Sequence, residues 1–217
     1  MKYFLDTEFI ESFHKPMFGK RRHFIDLISI GIVGADGREY SAISNEFNPK
    51  DASDWVKKNV IEKLGYRETW EHDETRDKVY TGMEAVKKAG KSNKEIAKEI
   101  IEFVMKPYFD NPLPDTNLPI FYGYYSAYDH VLLCSLFGTM MDLPAGFPMY
   151  TRDLKQMMDE WVEKAIPDLV KNHQRSFTFD EALNELESHA NYPKQSNEHN
   201  AISDARWNRD LYNFLTT

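Results

Sequence analysis

Residues 24–47 read FIDLISIGIVGADGREYSAISNEF, and no other stretch restricts the fold so strongly. Ile25, Leu27, Ile28, Ile30, Ile32 and Val33 concentrate aliphatic, largely β-branched side chains that suit a pleated surface. Asp36-Gly37 comes next, a dipeptide suited to the positive φ of a tight hairpin turn. EYSAIS then returns as a partner strand. Upstream, KYFLDTEF alternates weakly. Tyr3, Leu5, Thr7 and Phe9 fall on one face, and Phe4, Asp6, Glu8 and Ile10 on the other. The chain is expected to open as an antiparallel meander of three strands.

Helical signals dominate the rest of the chain. DASDWVKKNVIEKL offers Asp51 or Ser53 as a cap ahead of an apolar stripe of Trp55, Val56, Val60, Ile61 and Leu64. Ser92 and Glu95, and again Thr178 and Glu181, have capping-box spacing. Prolines in DNPLPDTN end the helix of residues 92–104, and LPIFYGYY is a short apolar strand. AYDHVLLCSLFGTM reads as a buried helix, TRDLKQMMDEWVEKA as an amphipathic one, and ISDARWNRDLYNFL as the last helix. Strands first, then helices with a strand among them, predict an α/β class with a central mixed sheet flanked by helices. The length of 217 residues suits one domain. Residues 51–117 carry the most charge and the least core signal, so they are expected to be a helical insertion or cap within that domain.

Composition limits the function. Hydrophobic residues are 41% and charged residues 29%, an ordinary globular balance. No apolar run approaches the roughly 18 residues of a membrane span, and the acids at 6 and 8 interrupt any signal-peptide core, so a cytoplasmic protein is expected. The lone Cys134 cannot form an internal disulfide and reads as a small buried hydrophobe. A formal charge of −8 excludes a broad phosphate-gripping surface. It leaves room for a protein that engages only a strand end and takes its positive charge from metal ions.

Three segments carry acids with a pattern. On a strand, Asp6 and Glu8 lie on one face about 6.5 Å apart, at roughly 3.3 Å per residue. Two ionised carboxylates near a core repel and lose hydration, and a divalent cation with a taste for oxygen relieves both. A solvated strand end is the plain alternative. Asp129, in YGYYSAYDHVLL, stands at a strand-to-helix junction, where it serves either as an N-cap or as a third acid facing that cation. In NEHNAISDARWN, a helix starting near Asn200 puts Asp204 on its first turns and His199 in the loop before it. The plain reading there is a surface histidine and an acid favoured by the helix dipole.

Taken in order, D-x-E in a first strand, an aspartate after a middle strand and H-x-x-x-x-D opening a C-terminal helix resemble the DEDDh family of 3′–5′ exonucleases, which have ribonuclease H-like folds. YFLDTEFIE, YYSAYDHVLLCSLFG and EHNAISDARWNRDL are similar to the ribonuclease AS group, polyadenylate-specific 3′-exoribonucleases. The likeness is weakest over residues 51–117. It implies two divalent cations, Mg²⁺ or Mn²⁺, held by Asp6, Glu8, Asp129 and Asp204, with His199 as general base. It implies single-stranded RNA as substrate, shortened from its 3′ end to AMP or other nucleoside 5′-monophosphates, and a homodimer. A DNA exonuclease and a silent RNA-binding module are the alternatives. Thr7, Phe9 and Tyr128 are candidate substrate contacts, as are Tyr124 and Tyr125, with core packing as the plain alternative. On strict alternation Phe9 faces away from the acids, so a bend or a backbone contact is needed. Asp26, Arg21, Arg22 and His23 are further candidates for base and phosphate contacts. His130 is expected to pack, Trp207 to sit in core or interface, and His14, His72, His173 and His189 to lie on the surface.

Overall fold

The computed structural model describes residues 1–14, 19–70, 73–109 and 118–217. Its strands are β1 (Lys2–His14), β2 (Arg22–Gly34), β3 (Glu39–Ser44), β4 (Gly65–Trp70), β5 (Asp73–Thr81), β6 (Gly90–Lys91), β7 (Ile120–Gly123) and β8 (Arg152–Asp153). Its helices are α1 (Asp54–Asn59), α2 (Gly82–Ala89), α3 (Asn93–Phe109), α4 (Ala127–Ser135), α5 (Leu154–His173), α6 (Phe179–Glu187) and α7 (Ala201–Thr216). The expected meander is present, β1 and β3 each pairing antiparallel with β2. The central sheet runs β6-β3-β2-β1-β7-β8. Its other pairings, β1–β7, β7–β8 and β3–β6, are parallel, so the sheet is mixed. Gly37, at φ 85°, turns the β2–β3 hairpin.

Alternation along β1 sorts the core. Tyr3 and Leu5 pack with Ile30, Ile32 and Phe121 under α3 and α4, where Ile96, Ile100, Val104 and Leu132 are buried. Phe4, Val33 and Tyr122 pack on the opposite face against Leu154, Met158 and Val162 of α5 and Ala205 and Leu211 of α7. A third cluster gathers Ile10, Ile28 and Ile43 with Val60, Ile61, Tyr80 and Val86. The capping boxes at Ser92/Glu95 and Thr178/Glu181 both form.

Three local expectations need correction. The charged segment is not wholly helical: β4 and β5 pair antiparallel inside it, and α3 belongs to the main core. The helix expected over residues 51–64 is a short α1, capped by Ser53, followed by a 3-10 turn at Ile61–Lys63. Val60, at φ −114° and ψ −66°, turns the chain so that Ile61 and Leu64 reach the core. Helix α5 runs on through Pro167 to His173. The prolines of residues 112 and 114 and His72 lie outside the described residues. No helix among the described residues is long and apolar enough to cross a membrane.

Candidate active site

The site begins with an unpaired strand edge. Backbone groups of β1 alternate direction: Lys2 O accepts from Ala35 N on the β2 side, and Met1 O accepts from Ile120 N on the β7 side. Odd-numbered residues of β1 therefore address β7. Along β1, strand β7 pairs with Lys2–Phe4 and goes no further, which leaves Leu5 C=O and Thr7 N–H to be satisfied otherwise. Asn208 of α7 donates Nδ2–H to Leu5 O at 2.9 Å. Asp129 of α4 accepts from Thr7 N at 2.8 Å and from Thr7 Oγ1 at 2.5 Å. Two helices thus seal the strand edge, and they carry an acid each to it.

Helix α7 comes this close because of Gly31. That residue pairs with Asp6 across β1–β2. A Cβ there would lie 2.4 Å from the carbonyl of Ala201 and 2.5 Å from Ile202 Cα. With no side chain in the way, the first turn of α7 rests on the sheet beside Asp6, and Asp204 comes with it. Asn200 caps the helix by accepting from Ser203 N. Asp204 folds back: its Oδ2 accepts from His199 N at 2.9 Å and from Asn200 N at 3.2 Å, while Gln195 Nε2 donates to its Oδ1 at 2.8 Å. His199 takes φ +65°, a left-handed turn that sets its ring at the pocket just before the helix.

Carboxylate oxygens of Asp6, Glu8 and Asp204 all lie within 4.8 Å of one another. Asp129 lines the same pocket, of about 340 Å³, but is not in that trio. Among the described residues, none of the four acids is in a salt bridge to lysine or arginine. Burial, reinforced by the charges of Asp204 and Asp129, pushes Glu8 up to about 8 against a small opposing pull from Lys63. Asp6 is raised well above the ordinary carboxylate range by burial and by its three acidic neighbours. Burial raises Asp129 to about 6 despite the two hydrogen bonds from Thr7, and burial also raises Asp204 against its three donors. Mutual repulsion without a paired cation is what a divalent ion would relieve, and an all-oxygen donor set suits Mg²⁺ or Mn²⁺. The residues present fit such an ion.

Aromatic walls complete the pocket. Phe9 lines it although its side chain shares the face of Leu5 and Thr7, because the pocket straddles the open edge of β1. The ladder shifts register between Glu8 and Phe9, with Ile28 as the extra residue on β2. Phe9 meets Tyr128 at 5.4 Å between ring centroids. Tyr124 and Tyr125 are also at the pocket. Asp153 accepts from Tyr125 N and Ser126 N, which holds Tyr125 at φ +54°. Trp207, expected in core or interface, lines the pocket too, half-buried against Tyr124 and bonded through Nε1 to Pro193 O. Asp26, Arg21, Arg22 and His23 are not among the residues that line it. His130 packs as expected, bonded to Thr151 Oγ1. His14, His173 and His189 are exposed.

Four contributors escaped sequence reasoning. Gly31 had a signal, since a glycine inside a strand often marks a close backbone approach. Gln195 and Asn208 had none, being polar residues whose partners are nine and 203 positions away. Trp55, read as part of an apolar stripe, is 54% exposed and meets the His199 ring edge-on at 4.8 Å. The charged segment thus delivers a side chain to the site.

A family model described as the 3′–5′ exoribonuclease Rv2179c-like domain matches residues 1–216. The chain is also similar to a 3′–5′ exoribonuclease of Mycobacterium tuberculosis, known from the CDC 1551 / Oshkosh and H37Rv strains. In each case it is 34% identical over 167 residues, covering 77% of this chain and 77% of the relative.

Proposed function

The chain belongs to the Rv2179c-like 3′–5′ exoribonuclease family, and from that premise we propose a metal-dependent enzyme of the DEDDh type, with a ribonuclease H-like fold, similar in kind to ribonuclease AS. It shortens single-stranded RNA from the 3′ end, with a preference for poly(A), and releases nucleoside 5′-monophosphates such as AMP. The observation that carries this reading is the carboxylate trio of Asp6, Glu8 and Asp204 within 4.8 Å, in one pocket with Asp129 and His199.

Asp6, Glu8, Asp204 and Asp129 would hold two divalent cations, Mg²⁺ or Mn²⁺, which when bound supply positive charge where the scissile phosphate gathers negative charge. A ring nitrogen of His199 accepts the proton of the attacking water, work that suits an imidazole near neutral pH. Trp55 limits the ring's freedom from the outer side. Thr7 fixes Asp129 through two hydrogen bonds. Phe9 and Tyr128 offer faces on which the 3′-terminal base stacks, worth about 1–3 kcal/mol per base. Neutralisation relieves Asp6, which is buried beside three other acids.

The resemblance also supports a homodimer, and Cys134, buried and unpaired, suits a reducing cytoplasm. The decisive test is degradation of matched 5′-labelled oligo(A) and oligo(dA) in Mg²⁺, with EDTA added as a stop. Shortening of the ribose substrate alone, halted by EDTA, is expected. Equal rates on both sugars would overturn the RNA assignment. Absence of 3′ shortening under either metal would overturn the enzyme.

A further inference from the structure

Strands β1 and β2 outrun their neighbours. Strand β7 stops beside Phe4 and β3 beside Ser29, yet β1 and β2 stay paired out to His14 and Arg22. From Phe9 and Leu27 outward, the described residues form a two-stranded ribbon that leaves the sheet next to the pocket. Alternation and register place Phe9, Glu11 and Phe13 on one face with Leu27, Ile25 and His23.

That face carries a continuous line of contacts. Phe9 touches Tyr128 at the pocket wall. Tyr128 donates its hydroxyl to Glu11 Oε1 at 3.1 Å, and His23 Nε2 meets the same oxygen at 2.7 Å. The His23 ring packs edge-on against Phe13 at 5.5 Å. The Arg21 guanidinium lies over the Phe13 ring, 4.6 Å from its centroid. Phe13 is 48% exposed although it is a large apolar ring. Lys20, Arg21, Arg22 and His23 are consecutive, in a chain whose net charge is −8. Among the described residues, neither Arg21 nor Arg22 is paired with a carboxylate. The one acid on the line, Glu11, is engaged by His23 and Tyr128 and so is held back from a passing phosphate.

Exposed aromatic rings interleaved with guanidinium groups that no carboxylate neutralises are what a single strand of nucleic acid binds without regard to sequence. The four residue steps from Phe9 to Phe13 span about 13 Å of strand, room for roughly four stacked nucleotides at about 3.4 Å each. We propose that this ribbon face is the track for the RNA upstream of the cleaved nucleotide, with Phe13 stacking a base and Arg21 holding a phosphate. The inference rests on the exoribonuclease reading of the pocket and assigns where the rest of the strand lies. It also gives an acidic protein a local grip on a polyanionic substrate, because Lys20, Arg21 and Arg22 form a basic run at this projecting element.

The experiment compares 5′-labelled oligo(A) of three and of ten nucleotides on the full chain, wild type and variants. A trinucleotide reaches the pocket but little of the ribbon. Arg21→Glu and Phe13→Ala are each expected to lower the ratio of kcat/KM for the decamer to that for the trimer by about tenfold. Arg21→Lys should keep most of the ratio, and Phe13→Tyr should restore it. For the decamer, the logarithmic salt slope should flatten by about 0.7 in Arg21→Glu, the loss of one single-strand phosphate contact. Equal losses on both lengths, or none on either, would overturn the track and leave the nuclease reading standing. A wild-type protein that shortens neither oligonucleotide would overturn that reading and the track with it.

Discussion

Replacing Gly31 with alanine tests how the site is assembled without touching an acid. The new Cβ would lie 2.4 Å from the Ala201 carbonyl, about 1 Å inside ordinary van der Waals contact. Strand β2 cannot retreat, since Gly31 sits between Asp6 of β1 and Ser41 of β3 in the ladder. The first turn of α7 must therefore lift, by about 1 Å, while Ala205 and Leu211 keep the rest of the helix in the core. Overpacking of this kind costs about 1–3 kcal/mol, which for a domain of this size lowers Tm by about 2–12 °C. The same lift carries Asp204 away from Asp6 and Glu8 and tilts His199. A misplacement of about 1 Å can lower a rate by about 10²-fold. The assay is kcat on oligo(A) in Mg²⁺ at a temperature well below the variant's Tm, with Mn²⁺ affinity by calorimetry alongside. A folded Gly31→Ala protein with wild-type kcat and wild-type metal affinity would refute the idea that close packing of α7 builds the site.

The same geometry sets other outcomes. Asp6→Asn should abolish cleavage while leaving Tm in EDTA unchanged or higher, because it removes a charge that burial and three acids disfavour; a clear fall in Tm would contradict this. His199→Ala should lower kcat at least 10²-fold yet keep Mn²⁺ affinity in titration calorimetry, so loss of metal binding would assign the imidazole a different role. Trp55→Ala should cost about tenfold in kcat and Trp55→Phe much less, since only a ring confines His199; equal effects would remove Trp55 from the site. A carboxyl whose pKa rises on folding takes up protons on folding, so its contribution is present below the unfolded value and lost as pH rises through the folded one. For Glu8 that window runs from 4.5 to about 8, and for Asp129 from 3.8 to about 6. Tm in EDTA should therefore fall between pH 5 and pH 8.5, and Mg²⁺ should flatten the decline; a Tm that rises over this range without metal would oppose the electrostatic description.

Much of the fold was legible because its signals are local. The β-branched run of residues 25–33, the Asp36-Gly37 turn and the capping boxes at Ser92 and Thr178 involve neighbours a few positions apart, and each formed. The five candidate site residues were legible as an ordered pattern, and all five line one pocket. The hairpin of β4 and β5 was not, because charged residues on a small ladder leave no clear period of two. Nor was the true extent of α5, where a proline is tolerated inside the helix.

By itself the sequence determined the opening meander and the capped helix starts, and which side chains could serve as metal ligands. Tertiary structure alone decided that these ligands meet. Leu5 and Asn208, 203 positions apart, are joined by one hydrogen bond. The α7 backbone rests on Gly31, and Trp55 from a distant charged segment leans on His199. Periodicity and caps are written in residues separated by one turn or one pleat. The closing of a strand edge by two remote helices depends on where β7 stops, and no neighbour in the chain encodes that.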